Sequence, residues 1–377
     1  MPSTLMLLSN PYRPDPRVLR ETRALIEAGI AVHLIAWDRG MDRPSYAVEG
    51  GVMVTRLGPK SAYRSISQVG CGLIRFWFRA LWHAKKAKFD AVHCHDFDTF
   101  PLGLVIARLH GKPLILDAHD IYSLMVVGES ASVGKFLWIV ERWLVTKADE
   151  LITTNTVMAD ILSEKRGKGA VIVSNSPDTS DLIGHDIDWT RAIHGLDGFV
   201  VPYLGSLEPG RAVEELATAF SPGDGITVII GGSGTLQLAI EMTCRNNPTT
   251  HFVGNIDTDE VLRITEASDI IPAMYDPSNP KYKICTPIKV LEAMACGKAV
   301  ITTKGLDISE MVERIGCGFV IDYSREALRR TVLDASKARG KLDEMGRRGK
   351  EYFEQYLSWA KSKDALINVY RGLQVVT

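Results

Sequence analysis

Short apolar runs alternate with amphipathic segments along nearly the whole chain, and this alternation passes through the sequence twice. The first pass begins with an apolar run at residues 5–9, helical periodicity over 16–28 and a second apolar run at 30–37. Segments of these lengths predict a β-α-β unit. Later runs are separated by stretches long enough for crossover helices, which predicts a doubly wound parallel sheet and an α/β fold. These runs are residues 51–57, 90–95, 113–117, 150–154 and 170–174.

A polar stretch at residues 178–197 interrupts the alternation, which then restarts. Because 377 residues suit two domains, we predict a Rossmann-like domain over 1–185 and a second one over 198–355. Such folds bind ligands at the carboxyl ends of their strands, so the active site is expected in a cleft that the two sheets face. The second set of apolar runs is 198–204, 225–230, 249–253, 269–274, 298–302 and 318–321.

Composition excludes several classes of protein. The 44 Lys and Arg nearly cancel the 45 Asp and Glu, so the formal net charge of −1 provides no overall field to attract nucleic acid. The sequence contains no run of 18 apolar residues, so no membrane-spanning helix is predicted. The N-terminal residues predict a buried strand rather than a signal peptide. Six scattered cysteines without a C-x-x-C pair predict buried thiols in a reducing, cytoplasmic compartment. They are Cys71, Cys94, Cys244, Cys285, Cys296 and Cys317.

The sharpest local signal lies between Lys281 and Gly297. Thr286 suits an N-cap and Pro287 the first helical position, and the free amides of such a helix start form an anion site suited to a diphosphate. Lys289 falls in the first turn, where the helix dipole disfavours a cation, so its presence indicates a bound anion. Glu292 follows in an apolar run, where a partly buried carboxylate needs hydrogen-bond donors. Ribose hydroxyls would supply them. The alternative is a solvated lysine and a glutamate paired elsewhere.

Two further signals follow strands in the second half. Tyr203-Leu-Gly-Ser-Leu-Glu-Pro-Gly-Arg-Ala-Val213 places Arg211 after a glycine-bearing loop, as in a phosphate clamp. The alternative is an ordinary surface arginine. Ile229-Ile-Gly-Gly-Ser-Gly-Thr235 is a glycine turn without the lysine of a P-loop, so alone it indicates little.

In the first half, His119 lies just beyond a predicted strand, where it can bind a substrate hydroxyl and stabilise developing charge. A purely structural histidine is the alternative. Arg13 and Asp15 follow the first strand and are expected near the same edge, unless they serve only the turn. Asp96-Phe-Asp98, close to His93 and His95, resembles a metal site, but Asp98 suits an N-cap for a helix over 99–109, so no metal is predicted. The common hydrolase signatures H-E-x-x-H and G-x-S-x-G do not occur.

A basic stretch at residues 56–88 contains no Asp or Glu. It interleaves cations with aromatic and aliphatic residues, which indicates either a helix lying on an anionic membrane surface or a crossover helix with solvated Lys and Arg. The cations are Arg56, Lys60, Arg64, Arg75, Arg79, Lys85, Lys86 and Lys88.

The motifs in their order resemble the GT-B glycosyltransferases, specifically the large retaining family that uses nucleotide-sugar donors, glycosyltransferase family four, also called group 1. The resemblance covers nearly the whole chain. It rests on Asp15-Pro-Arg-Val-Leu-Arg-Glu21, Asp90-Ala-Val-His-Cys-His-Asp96, Asp117-Ala-His-Asp120, Asn175-Ser-Pro-Asp178, Gly205-Ser-Leu-Glu-Pro-Gly-Arg211, Phe252-Val-Gly254, Glu292-Ala-Met-Ala-Cys-Gly-Lys-Ala-Val-Ile301 and Tyr356-Leu-Ser-Trp359.

The resemblance implies a role for each matching position. Glu292 would hold the donor ribose, Arg211 would clamp the diphosphate and His119 would lie near the transferred sugar. It also implies that residues 356–377 form a helix crossing back to the first domain. Catalysis would involve His119, Arg211 and Lys289, and the donor would contact Gly205, Ser206, Arg211, Gly234, Asn255, Ile256, Cys285, Thr286, Pro287, Lys289 and Glu292.

The implied reaction is retaining, metal-independent transfer from a nucleoside diphosphate sugar to a saccharide or lipid-linked saccharide, with no other cofactor. The enzyme is expected in the cytoplasm, either free or peripheral on the membrane. Two positions depart from the family pattern, because Ile284 replaces the first glutamate and Ser206 replaces a basic residue. These departures leave a degenerate nucleotide-sugar-binding subunit as one alternative. Because a fold does not fix the chemistry, a sugar-nucleotide epimerase or phosphorylase of the same fold is the other.

Overall fold

The computed structural model describes residues 1–13, 15–61, 66–127, 131–182 and 185–375. The chain forms two compact units, one of Met1–Ser174 with Ala360–Thr377 and one of Asn175–Trp359. The chain first passes from one unit to the other between Ser174 and Asn175, shortly before the polar stretch 178–197. That stretch lies within the second unit, where Asp186 caps a helix by accepting from the Trp189 N–H.

The first unit is a parallel sheet with helical connections. Its strand order is β3-β4-β2-β1-β5-β6-β7-β8, and every described pairing is parallel except that of β3 with β4. The elements are β1 (Ser3–Leu8), α1 (Pro16–Glu27), β2 (Ala31–Trp37), β3 (Tyr46–Glu49), β4 (Val52–Leu57), α2 (Ile66–Ala84), β5 (Ala91–His95), α3 (Phe100–His110), β6 (Leu114–Ala118), α4 (Tyr122–Val127), α5 (Ala131–Val145), β7 (Glu150–Thr153), α6 (Thr156–Ser163) and β8 (Val171–Ile172).

The register of this sheet shows which helices cover each face. Leu7 pairs with Ile35 on one side and with Cys94 on the other, so these three side chains and Trp37 share one face. Trp37 stacks on Phe76 of α2, and Cys94 lies directly beneath Gly103 of α3. Helices α2 and α3 therefore cover the same face.

The second unit contains two hydrogen-bonded groups of three parallel strands, β11-β10-β9 and β12-β13-β14. The Asp269 N–H donates to the Val200 carbonyl at 3.0 Å, and the Val200 N–H donates to the Asp269 carboxylate at 2.7 Å, which joins β12 to β9. The elements are α7 (Ile187–Ile193), β9 (Phe199–Leu204), α8 (Val213–Ala217), β10 (Ile226–Gly231), α9 (Gln237–Asn246), β11 (Thr250–Gly254), α10 (Thr258–Ala267), β12 (Ile270–Ala273), α11 (Pro280–Ile284), α12 (Ile288–Ala295), β13 (Ala299–Thr303), α13 (Asp307–Ile315), β14 (Gly318–Ile321), α14 (Arg325–Ser336) and α15 (Arg339–Tyr352). The last helix, α16 (Trp359–Gly372), belongs to the first unit from Ala360 onward.

Both sheets reverse their strand order at one point, between β1 and β5 in the first and between β9 and β12 in the second. Helix α16 packs onto the first sheet, where the Tyr370 hydroxyl contacts His93 Nδ1 at 2.8 Å. His93 alternates with Cys94 along β5, so α16 covers the face opposite α2 and α3. None of the helices in the described ranges combines the length and apolar composition needed to cross a membrane.

Several sequence expectations about local structure are wrong. Strand β3 pairs at the sheet edge but was not predicted, because it is only four residues long and gives too short a pattern. Helix α3 begins at Phe100 with Thr99 at the N-cap, so Asp98 does not cap it. Helix α12 begins at Ile288 with Pro287 at the N-cap, one residue later than Thr286 implies.

Burial also differs from two expectations. Arg56, counted in the basic stretch, is buried and donates to the Glu49 carboxylate at 2.5 Å and to the Pro11 carbonyl at 3.0 Å, while Arg64 lies outside the described residues. All six cysteines are unpaired. Three are buried, but Cys71 is exposed, and Cys244 and Cys285 are only partly buried.

Gly103 provides a test of the packing of α3 on β5. A methyl group there would overlap Cys94 Sγ, so we expect Gly103→Ala to lower the free energy of unfolding by about 1–3 kcal/mol in urea titrations. Gly70→Ala is the matched control, since an added Cβ there meets no atom within 4 Å. Equal effects of the two substitutions would contradict this packing.

Candidate functional site

A cluster of ionisable side chains lies at the carboxyl edge of the first sheet. We call it the histidine cluster, and it consists of Arg17, Glu21, His93, His95, Asp96, Asp117 and His119. His95 ends β5 and pairs with Asp117 of β6, and His119 follows two residues later. The cluster adjoins the reversal point between β1 and β5, where open α/β sheets bind ligands.

Arg17 holds this cluster together. It is buried on α1 and donates from Nη2 and Nε to the two oxygens of Asp117 at 2.6 and 3.0 Å. Its Nη1 donates to the Val173 carbonyl at 2.7 Å, and Nε lies 3.0 Å from Glu21 Oε1. Asp15 positions the helix by accepting from the Val18 N–H. Sequence reasoning missed Arg17, although it lies in the quoted motif that begins at Asp15.

His119 faces a carboxylate with each ring nitrogen. Nε2 lies 2.9 Å from Asp117 Oδ2, Nδ1 lies 3.3 Å from Asp96 Oδ2, and the backbone N–H donates to Asp96 Oδ1. Burial by itself would lower the pKa of His119, but Asp96 and Asp117 outweigh it and raise that pKa to about 10. His119 is therefore a cation at neutral pH, suited to stabilising negative charge and not to accepting a proton.

Four members of the cluster carry donor atoms that a metal ion could use. The atoms of Glu21, His93, His95 and Asp117 lie within 4.8 Å of one another. However, Arg17 already brings a full positive charge against both carboxylates. Burial also raises the pKa of Glu21 to about 8, so a neutral carboxyl is favoured there at pH 7. Arg17 and the His119 cation therefore already face Asp117.

The other first-half candidates serve local structure. Arg13 pairs with Glu49 on the surface, and Asp15 acts as the N-cap of α1. Asp96 points its carboxylate at His119, while Asp98 is buried and its carbonyl accepts from the Trp77 indole. The two carboxylates of the D-x-D motif thus have different environments.

A second group of predicted residues meets at the carboxyl edge of the second sheet. We call it the anion site, and it consists of Gly205, Arg211, Lys289 and Glu292. Gly205 follows β9 with a φ of +135°, which only glycine adopts readily. The space that its Cβ would fill is taken by Lys289, because the Nζ lies 2.9 Å from that position.

Lys289 is buried in the first turn of α12, with its Nζ 4.4 Å from the centre of the Tyr203 ring. Burial lowers its pKa to about 8, although the nearby Glu292 carboxylate opposes this. Glu292 is buried one turn further along the helix. The predicted placement of a cation at a helix start is thus observed, and the helix dipole adds positive potential there.

Arg211 is held by aromatic rings. Its guanidinium lies 5.7 Å from the Tyr275 ring and 5.6 Å from the Tyr282 ring, and Nε donates to the Tyr282 hydroxyl at 3.4 Å. These tyrosines outweigh burial and raise the pKa of Arg211. Sequence reasoning missed Tyr275 and Tyr282, because isolated aromatic residues in loops and short helices produce no periodic signal.

The remaining predicted residues lie around this edge. The Leu207 N–H donates to the Ser233 carbonyl at 2.9 Å, which joins the loop after β9 to the loop after β10 and brings Gly234 against Leu207. Ser206 and Asn255 are exposed, whereas the partly buried Ile256 side chain packs against the core. Cys285, Thr286 and Pro287 form the link between α11 and α12.

Comparison with known families covers both units. Residues 14–175 match the glycosyl transferase 4-like domain, and residues 186–352 match the glycosyl transferases group 1 family. The chain belongs to the group 1 glycosyltransferases.

Known proteins similar to this glycosyltransferase agree with that assignment. It is 25% identical over 321 residues to alpha-maltose-1-phosphate synthase of Mycolicibacterium smegmatis, covering 74% of this chain and 78% of the relative. Sucrose-phosphate synthase from Thermosynechococcus elongatus superposes with a TM-score of 0.82 at 17% identity over both complete chains. Anabaena HepE in complex with UDP gives a TM-score of 0.71 at 16% identity, covering 98% of this chain and all of HepE. The fold is therefore GT-B.

The carboxylates around His119 predict an unusual titration in this glycosyltransferase. By NMR of labelled histidine rings, we expect His119 to remain protonated up to a pH of about 10, and its pKa to fall by about 1–3 units in Asp96→Asn. His119→Gln identifies the signal. Titration of wild-type His119 between pH 6 and 7 would contradict the ion-pair geometry.

The free energy of unfolding should depend on pH through the charge of His119. Because the folded pKa lies above the unfolded value of about 6.5, protonated His119 stabilises the fold fully below that pH, and its contribution is lost as pH rises toward 10. Wild-type protein should therefore lose more of its free energy of unfolding between pH 7 and 10 than His119→Gln does. A parallel loss in both proteins would argue against this linkage.

Proposed function

We propose that this enzyme is a retaining, metal-independent glycosyltransferase that uses a nucleoside diphosphate sugar. The observation that carries the proposal is the anion site, where buried Lys289 lies against Gly205 at the start of α12 and the partly buried Arg211 is close enough to help lower the pKa of Lys289. Two cations, an N-terminal helix dipole and a glycine that permits close approach form a site for a diphosphate. The anion site lies beside the point where the strand order reverses, between β9 and β12, and open α/β sheets bind ligands at such points.

The donor would bind to the second unit. Arg211 would contact the diphosphate, because phenol rings orient its guanidinium without neutralising it. Lys289 would contact the phosphate oxygens beside Gly205, and Glu292 would accept from the ribose hydroxyls. The backbone at Asn255 and Ile256 would contact the base, while Ser206, Gly234, Cys285, Thr286 and Pro287 would line the donor.

The acceptor would bind to the first unit near His119. In the proposed reaction, the bond between the anomeric carbon and the diphosphate breaks, and the acceptor hydroxyl oxygen bonds to that carbon on the same side. The acceptor proton passes to the leaving phosphate oxygen. Arg211 and Lys289 would stabilise the negative charge that develops on the leaving diphosphate, and the His119 cation would supply positive charge near the acceptor.

The acceptor is proposed to be a saccharide or a lipid-linked saccharide. Binding of UDP in Anabaena HepE supports a nucleotide donor for this chain. Six unpaired cysteines support a reducing compartment, so we place the enzyme in the cytoplasm, on the membrane face when its acceptor is lipid-linked.

Calorimetry with UDP and GDP tests the donor site. We expect the nucleotide that binds wild-type protein to bind Arg211→Ala about 10–100-fold more weakly, because a charge-assisted contact contributes about 1.5–3 kcal/mol. Glu292→Gln should weaken binding through the ribose. Arg325→Ala is the matched control, since Arg325 is an exposed arginine at the start of α14. Unchanged affinity in both Arg211→Ala and Glu292→Gln would overturn the assignment of the site.

A panel of labelled nucleotide sugars with chelator present tests the reaction class. We expect label to appear in a glycosidic product when a mixture of saccharide and lipid-linked acceptors is supplied. Epimerised sugar without transfer would favour the epimerase alternative. Nucleotide binding without any turnover would favour a degenerate binding subunit, which the substitutions at Ile284 and Ser206 motivate.

A further inference from the structure

Three helices of the first unit expose large apolar side chains at helical spacing. Phe78 and Trp82 are four residues apart on α2 and so lie on one side of that helix. Phe136, Ile139 and Trp143 form one stripe along α5. Their exposed fractions range from 58% for Trp143 to 71% for Phe78. The same helices and α3 add Ile74, Val105, Leu109 and Val133. Exposed apolar residues grouped in this way, rather than scattered singly, mark an interaction surface.

These helices lie on one side of the sheet. The register places α2 over Trp37 and α3 over Cys94, whose side chains share a face. Helix α3 connects β5 to β6, and α5 lies in the connection from β6 to its next neighbour β7. Right-handed crossovers that proceed in one direction along a sheet lie on the same side, so α5 joins α2 and α3. We call their outer surface the three-helix face.

The charge of the three-helix face has one sign. Glu141 is the only acidic residue in α2, α3 and α5. It is buried, and it accepts from the backbone N–H groups of Tyr122 and Ser123 and from the Ser123 hydroxyl. The exposed cations on these helices are Arg75, Arg79, Arg108 and Lys135.

Further cations border the exposed tryptophans. Lys86 Nζ lies 5.1 Å from the centre of the Trp82 ring, and Lys147 Nζ lies 5.2 Å from that of Trp143. Tryptophan at an interface with a lysine beside it suits the boundary between lipid headgroups and acyl chains, where the ring enters the apolar region and the ammonium meets the phosphates.

We infer that the three-helix face binds an anionic lipid bilayer, with the apolar stripes of α2 and α5 inserted at the headgroup boundary and the cations against lipid phosphates. A second copy of the chain is a poorer occupant, because self-association would oppose cations to cations. This inference extends the basic helix of the sequence analysis to α3 and α5. The biological role of bilayer binding rests on the proposed lipid-linked acceptor. Bilayer binding itself does not depend on nucleotide binding.

Vesicle flotation tests the inference. Wild-type protein should float with phosphatidylcholine vesicles containing about one-third phosphatidylglycerol, less with pure phosphatidylcholine, and less at high salt. The triple variant Phe136→Ser, Ile139→Ser, Trp143→Ser should lose at least about tenfold in vesicle affinity, because it removes one whole stripe. Arg75→Gln with Arg79→Gln should lose selectivity for the anionic lipid.

The control is Trp189→Ser with Ile193→Ser, which removes exposed apolar residues from α7 of the second unit and should leave flotation unchanged. Each variant is also titrated with the nucleotide that binds wild-type protein, to verify folding. Flotation of the α5 variant equal to that of wild type overturns the inference. Wild-type protein that does not bind vesicles also overturns it, as does binding of duplex DNA or of a second copy of the chain through this face. Absence of nucleotide binding in wild-type protein would instead contradict the proposed function and leave the flotation result valid.

Discussion

Parallel strands require each connection to return across the sheet, so the segments that follow the strands all meet at one edge. The histidine cluster and the anion site of this glycosyltransferase both depend on that constraint. In the first sheet it brings His95, Asp117 and His119 together from two neighbouring strands. In the second sheet it brings Gly205 after β9 beside the segment that leads into α12. Both groups lie where the strand order reverses, because helices there leave to opposite sides of the sheet.

The two edges treat buried charge differently. In the histidine cluster, Arg17 faces Asp117 and the carboxyl of Glu21, and the His119 cation faces Asp96 and Asp117. At the anion site, aromatic rings hold Arg211, and burial lowers the pKa of Lys289 to about 8. A bound diphosphate would favour the charged lysine and so recover part of the cost of burying it. This contrast is the physical basis for the proposal that the donor binds at the second edge, whereas the first edge holds a fixed, preorganised cation.

Periodicity predicted the parallel strands well, because strands buried on both faces are continuous apolar runs. It missed β3, which is only four residues long, and it misplaced the start of α12 by one residue, since Thr286 and Pro287 both suit a helix start. Spacing after strands located Arg211, Lys289 and His119. It could not reveal that Arg17 from α1 crosses 100 positions of sequence to bind Asp117, or that Tyr282 lies against Arg211, because such contacts exist only in the folded chain.

The central claim is that the leaving diphosphate, held by Arg211 and Lys289, directs acceptor attack from its own side of the sugar. The most direct measurement is the anomeric configuration of the first product formed, by proton NMR, in the presence of a chelator. The account predicts that the new glycosidic bond has the same configuration as the bond to the nucleotide. An inverted product, or transfer that stops when the chelator is added, would contradict it.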